Sequence, residues 1–228
     1  MTKQTEIMAT LAIVVAAIIV VAVRIEGDPD RSTPFTPANP GADLVVDLPS
    51  ADTLAMWYEL GHRVGPEDAP IRIIEWGSYA CKFCLEFAAA IDSVQQRFPN
   101  MISVTWLHYL PPRTDLKGID TFMAHATECV VDQVPFETLY EAVLLEGRII
   151  DNRARLFVAV SDLGVEDERL FGACVDSWTH RDRLFRLARL GEAAEVTGTP
   201  TWYLNETRYD GTASAATLQR MALARLRR

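Results

Sequence analysis

Cys81, Lys82, Phe83 and Cys84 place two thiols with two residues between them. Sulfurs at that spacing can close a disulfide within one tight turn, and a pair that opens and closes can carry out thiol–disulfide exchange. The pair follows Ile71 to Trp76, an apolar, β-rich run bounded by Asp68-Ala69-Pro70 and Gly77. It precedes a run with Phe87, Ile91, Val94 and Phe98 at helical spacing. The cysteines therefore open a helix. A helix N-terminus presents unpaired N–H groups and a partial positive charge, which stabilise an anion. A thiolate at Cys81 is such an anion, and its pKa is expected to fall from about 8.5 to between roughly 3.5 and 7.5. Cys81 would be the exposed attacking thiol and Cys84 the more buried resolving one.

A single C-x-x-C is also half of a zinc site, or a short structural staple. Zinc would need a second close pair of Cys or His. Cys129 and Cys174 are far apart in sequence, and His62, His108, His125 and His180 show no paired spacing. No metal and no cofactor are expected.

Thr199-Pro200 comes directly before a later β-rich run, more than a hundred residues beyond the cysteines. A cis proline here would set the Thr199 backbone against the disulfide, where its N–H and C=O could pair with an extended substrate. Without the cysteines, the same dipeptide reads as a plain helix breaker.

The elements that must position these groups alternate along the chain. Ile71 to Trp76 is a strand, Cys84 to Phe98 a helix stopped by Pro99-Asn100, and Ile102 to Tyr109 a second strand ended by Pro111-Pro112. That order implies a right-handed parallel crossover. Five helical stretches follow: Thr121 to Val131, Phe136 to Glu146, Arg153 to Leu163, Asp167 to Asp176, and His180 to Val196. Thr201 to Asn205 and Arg208 to Asp210 form a hairpin with its turn near Asn205-Glu206, and Thr212 to Leu226 is a last helix. Asn205-Glu206-Thr207 matches a glycosylation acceptor, but in a hairpin it reads as turn chemistry. The layout is β-α-β, an all-helical insertion, then β-β-α.

These pieces together resemble the DsbA-like branch of the thioredoxin superfamily. The matching segments are Gly65-Pro66-Glu67-Asp68-Ala69-Pro70 before the strand, Ile74 to Cys84 (IEWGSYACKFC) at the thiols, and Val196 to Thr201 (VTGTPT) near the end. The resemblance covers about residues 62 to 226. It implies an α/β, thioredoxin-like fold with the helical insertion at about 113–196. It implies a nucleophile at Cys81, a resolving thiol at Cys84 and a cis peptide at Pro200. Glu75, six residues before Cys81, matches the position where the family often carries a buried acid, and would exchange a proton with Cys84. The alternative places the Glu75 carboxylate at the surface. Well-known relatives often carry Pro-His between the cysteines. Here Lys82 and Phe83 stand there, so these two would tune the redox potential, with Lys82 favouring the thiolate by its charge. Some DsbA-like proteins have a second, structural disulfide in the insertion, which would be Cys129–Cys174 here. Two separate buried thiols are the alternative. Trp57, Trp106, Trp178 and Trp202 read as core or rim aromatics, whereas Trp76 and Tyr79 flank the redox turn and are expected to shape an apolar surface for clients.

The chain has 228 residues, 49% of them hydrophobic and 23% charged, which suits one folded domain. A formal net charge of -9 argues against nucleic acid as a partner. Ile7 to Val23 carries no charge and is just long enough to span a bilayer. The expected organisation is a membrane anchor at 1–26, a Pro-rich tether at 27–52 and the redox domain at 53–228. A cleaved signal peptide is the rival for the first segment. The expected function is oxidation of cysteines in secreted client proteins, by a domain held on the extracytoplasmic (periplasmic or outer) side of the cell membrane. A membrane redox partner would recycle the pair. Reductase or isomerase action is the alternative within the class, and a non-catalytic chaperone-like or metal-handling module is the alternative outside it.

Overall fold

The computed structural model describes residues 49–110, 118–145 and 152–227. The expected anchor at 1–26 and nearly all of the tether lie outside the described residues. Among the described residues, no helix is long and apolar enough to cross a membrane. The domain begins earlier than the sequence suggests. Helix α1, Ala51–Leu60, starts at Ser50, whose hydroxyl accepts a hydrogen bond from Thr53 N at 3.1 Å. Ala51 and Asp52, assigned to the tether, are its first turn.

Strand β1 (His62–Val64) follows, then β2 (Ile71–Gly77), helix α2 (Lys82–Arg97) and strand β3 (Ile102–His108). The insertion contains α3 (Ile119–Val131), α4 (Phe136–Tyr140) running into a π-helical turn at Glu141–Leu145, α5 (Arg153–Asp162), α6 (Glu168–Ser177) and α7 (Arg181–Ala193). Strands β4 (Thr201–Leu204) and β5 (Thr207–Asp210) and helix α8 (Ala215–Leu226) complete the domain. The helix starts are written in the sequence. Asn152, Asp167 and Ser214 each accept a hydrogen bond at their caps, from Arg155, Leu170 and Thr217 N respectively.

The sheet order is β1-β3-β2-β4-β5. Strands β2 and β3 run parallel in register from Ile71↔Ile102 to Gly77↔His108. The other pairs are antiparallel. Strand β1 has no counterpart in the sequence reading, because three residues are too few to show a period. The hairpin turn is as expected. Asn205 adopts φ 54° and its side-chain oxygen accepts from Arg72 N at 2.9 Å, so its chemistry serves the turn.

Both faces of the sheet are covered, so the central strands are apolar without a clean alternation. One core joins Ile71, Ile73, Val104, Trp106 and Trp202 to Phe87 and Ile91 of α2, Leu218 of α8 and the insertion. A second, on the opposite face, contains Leu54, Trp57, Ile74, Trp76, Leu187 and Tyr203. This two-sided packing decides where the side chains around the thiols point.

Candidate active site

Cys81 is the N-cap of α2, with φ -92° and ψ 110°, and no side chain caps that helix end. The first amide donors of the helix are therefore free to face sulfur. The Cys81 carbonyl accepts from Cys84 N at 3.0 Å and from Leu85 N at 3.3 Å, which closes the turn between the thiols. Just upstream, Ser78 Oγ donates to the Asp120 carboxylate and accepts from Ala80 N at 3.1 Å, while Cys81 N donates to Ser78 O at 3.2 Å. Ser78 and Asp120 thus hold the approach to the site, a role the sequence reading missed. The only signal was a serine two residues before a turn amide.

Gly77 ends β2 for a steric reason. A Cβ there would lie 2.3 Å from the Trp106 ring. The chain can turn over the indole only without a side chain at this point.

The two thiols differ in environment. Cys81 is half-buried and Cys84 fully buried. The hydrogen bond from Cys84, together with contacts to Thr199 and the amides of Cys84 and Phe83, outweighs burial and lowers the Cys81 pKa to about 5. Burial pushes the Cys84 thiol strongly upward, and the neighbouring Cys81 and Glu75 add to that. At neutral pH Cys81 is a thiolate and Cys84 a thiol.

The Thr199–Pro200 peptide is cis, and Cys81 Sγ lies 3.3 Å from the Thr199 carbonyl oxygen. The strand register explains this meeting. Trp76, at the end of β2, pairs with Thr201, so the start of β4 lies beside the redox turn.

Glu75 pairs across the sheet with Trp106 on one side and Trp202 on the other. It is fully buried and on the α2 face, two residues from Ile73, not at the surface. Neither carboxylate oxygen has a partner at full hydrogen-bond geometry among the described residues, and its polar neighbour is the Cys84 thiol. Burial raises its pKa well above the ordinary 4.5, more than the Cys84 contact lowers it. The hydroxyl of Tyr140, from α4, is also buried without a partner among the described residues and feels the Glu75 charge. Nothing in the helical run 136–146 marked that tyrosine out.

Two expected client-contact residues are placed differently. Trp76 is fully buried on the opposite face of the sheet, where its ring meets Trp57 edge-on at 5.6 Å. A covered second face takes it out of reach of any client. Tyr79 is partly buried. Its ring packs 5.2 Å from Trp106 and its hydroxyl is buried beside the insertion. The apolar surface beside Cys81 comes instead from Phe83, which is 46% exposed, with Lys82 Nζ 4.9 Å from its ring centroid.

In the insertion, Cys129 and Cys174 are joined by a disulfide across a sequence separation of 45. A further polar cluster surrounds Glu128, which is buried with Oε1 3.0 Å from His62 Nε2, 3.2 Å from His108 Nε2 and 2.8 Å from Arg183 Nε. Burial alone would raise its pKa, but the two histidines hold it well below the ordinary carboxylate range. This cluster ties α3 to β1, β3 and α7 beneath Tyr79. Its members are spread from 62 to 183, so no local motif announces it.

One measurable consequence concerns Cys81 alone. The rate of its alkylation by iodoacetamide in the reduced protein should follow a titration with a midpoint near pH 5. A midpoint near the ordinary value, about 8.5, would mean that the helix end does not stabilise the thiolate. Quenched-flow trapping with mass spectrometry reads this directly.

The fold recurs in solved structures. A thioredoxin-like oxidoreductase from Silicibacter pomeroyi superposes with a TM-score of 0.65 at 17% identity, covering 78% of this chain and 98% of that one. Oxidised BdbD from Bacillus subtilis gives 0.62 at 18%, covering 79% and 97%. The catalytic domain of Proteus mirabilis ScsC gives 0.60 at 18%, covering 78% and 98%. Among curated sequences, Na(+)/H(+) antiporter NhaA 1 of Mycolicibacterium gilvum is 26% identical over 175 residues, which is 71% of this chain but 26% of the antiporter. The chain thus spans about a quarter of the length of the curated relatives it matches. Residues 59–222, from the end of α1 into α8, match the family described as Thioredoxin. With its C-x-x-C at a helix start, a cis proline against the thiol and a helical insertion between the two halves of the sheet, the chain belongs to the thioredoxin family.

Proposed function

We propose that this protein is a thiol–disulfide oxidoreductase that oxidises cysteine pairs in client proteins on the extracytoplasmic side of the cell membrane. The observation that carries this reading is the inequality of the two thiols. Cys81 is accessible and acidic, with a pKa of about 5, whereas Cys84 is buried and its pKa is raised. A stabilised thiolate favours the reduced form of the pair, and that makes its disulfide a strong oxidant.

The reaction needs no cofactor. A client thiolate attacks Cys81 Sγ of the Cys81–Cys84 disulfide, and the S–S bond breaks toward Cys84. Cys84 leaves with the electron pair and takes a proton from Glu75, which is protonated because it is buried. A second client thiol loses its proton, to Glu75 or to water, and attacks the client sulfur of the mixed disulfide. Cys81 leaves as a thiolate. The client has lost two electrons and two protons. The pair has gained both electrons and one proton, and the other proton is in solvent at neutral pH. The Thr199 backbone, already at Cys81, is placed to pair with the client chain, and Phe83 offers it an apolar contact. A membrane redox partner would take up the two electrons, and the apolar segment Ile7 to Val23 would hold the domain near it.

The reduction potential tests the direction. Equilibration with glutathione buffers should give a value near about -120 mV, at the oxidising end of the scale. A value near about -270 mV would make the protein a reductase. In cells, a Cys84→Ala variant should accumulate mixed disulfides through Cys81, and external protease should digest the domain in intact spheroplasts. Full biological activity in a Cys81→Ala variant would instead indicate a binding module without turnover.

A further inference from the structure

The insertion disulfide is surrounded by imidazoles. His125, Cys129 and Cys174 offer ligand atoms that all lie within 4.8 Å of one another, and so do Asp132, Cys174 and His180. Cys174 belongs to both groups, so three side chains, His125, Asp132 and His180, gather around one bridge. Their convergence follows from the fold. His125 and Cys129 are four residues apart on α3 and share a face. Cys174 lies in the last turn of α6, and Trp178 in the left-handed region, φ 53°, turns the chain so that His180 returns to the same place. The His125 ring packs 4.5 Å from the Trp178 ring, and its Nε2 accepts from His180 N at 3.3 Å.

The distances fit a particular ion. Cys129 Sγ is 4.0 Å from each ring nitrogen of His125. Zinc bonds of about 2.3 Å to sulfur and 2.0 Å to nitrogen at a tetrahedral angle require an S···N separation of roughly 3.5 Å. The two sulfurs are closer than zinc allows because they are bonded, and the His125 and His180 rings, 6.1 Å apart between centroids, must draw together as the bridge opens. Two thiolates with two imidazoles are a zinc donor set. The other His-rich cluster differs, because Arg183 Nε sits 2.8 Å from Glu128 Oε1 and a guanidinium already fills the place of a cation.

We propose that reduction of the Cys129–Cys174 bridge unmasks a tetrahedral zinc site formed by Cys129, Cys174, His125 and His180. Asp132 is the orienting residue. Its Oδ2 lies 2.8 Å from His180 Nε2, leaving the other ring nitrogen for the metal. An external dithiol supplies the two electrons and two protons that open the bridge and is itself oxidised to a disulfide. Zinc then displaces the two thiol protons. Reoxidation by a disulfide reverses both steps and releases the ion. His180 and Asp132 are partly exposed, which gives the ion a route in.

The test uses the full chain carrying Cys81→Ser and Cys84→Ser, so that the redox pair cannot bind metal. The protein is reduced, desalted without oxygen and titrated with Co2+ and then Zn2+. The reduced form should take up one equivalent of Co2+ with the intense visible bands of a tetrahedral site and a thiolate charge-transfer band, which one equivalent of Zn2+ bleaches. The oxidised form should show neither. His125→Gln and His180→Asn should each weaken binding more than Asp132→Ala, for which a loss of about 10- to 100-fold is expected. Circular dichroism keeps the result decisive if the reduced chain loses structure, because Zn2+ should then restore the spectrum. The proposal is overturned by the absence of tetrahedral bands together with no zinc-induced refolding. It is equally overturned by equal binding to the oxidised form, or by histidine variants that bind as the parent does.

Discussion

Replacing Cys129 and Cys174 together by alanine should lower the unfolding free energy by about 4 kcal/mol, the loop-closure entropy for a bridge of this span. That is close to a thousandfold in the folded-to-unfolded ratio. The bridge joins α3 to α6, two helices of the insertion far apart in sequence, and both sulfurs face the main core. Urea unfolding followed by circular dichroism measures the change; the midpoint should fall and the slope should rise, because the chain without the bridge unfolds to a less compact state that exposes more surface. The reduction potential of Cys81–Cys84 should be unchanged, because the active pair stands on α2. A loss below about 1 kcal/mol would mean that the unfolded chain already holds residues 129 and 174 close together, so that the bridge constrains little.

The parts of this molecule that were legible from sequence are those fixed by local chemistry. Cys81 and Cys84 announce a turn at a helix start because their spacing and the Gly77 break allow little else. The insertion helices could be bounded to within a few residues, because Asn152 and Asp167 are strong caps and the apolar periods between the breaks are clear. What was illegible depends on which face of the sheet a side chain meets. Trp76 and Glu75 are adjacent in a strand and therefore point to opposite faces. Sequence reading placed an aromatic next to the redox turn at the client surface. The second core, built by α1 and α7 from distant segments, buries it instead. Phe83, one residue before Cys84 and on the exposed side of the first helical turn, takes the surface position. The convergence of His125 and His180 on Cys129 and Cys174 was equally hidden. It needs α3 packed against the α6–α7 turn, and no spacing rule reaches across more than 40 residues.

A Glu75→Gln variant should be more resistant to unfolding than the parent as pH rises, and it should also be slower in exchange. The sign follows from proton counting. In the unfolded chain Glu75 ionises near its ordinary 4.5, whereas in the fold burial keeps the proton on to a much higher pH. Between those two values the folded state binds more protons than the unfolded one, so parent stability falls as pH rises. Below about pH 4.5 the Glu75 contribution is fully present, and it is lost as pH climbs toward the folded value. The stability difference between variant and parent should therefore grow by up to about 1.4 kcal/mol per pH unit above that point. A buried amide without partners shifts the whole curve by a constant but leaves this slope intact, so the slope is the quantity to measure, in the oxidised protein, between pH 4 and 8. A parallel pair of curves would show that Glu75 is solvated in the fold, and the proton exchange with Cys84 would lose its basis. The kinetic arm separates structure from chemistry. An amide at residue 75 cannot give a proton to the departing Cys84 or take one back, so formation of the mixed disulfide with a client thiol should slow at neutral pH. Alkylation of Cys81, which needs no proton on Cys84, should keep its midpoint near pH 5.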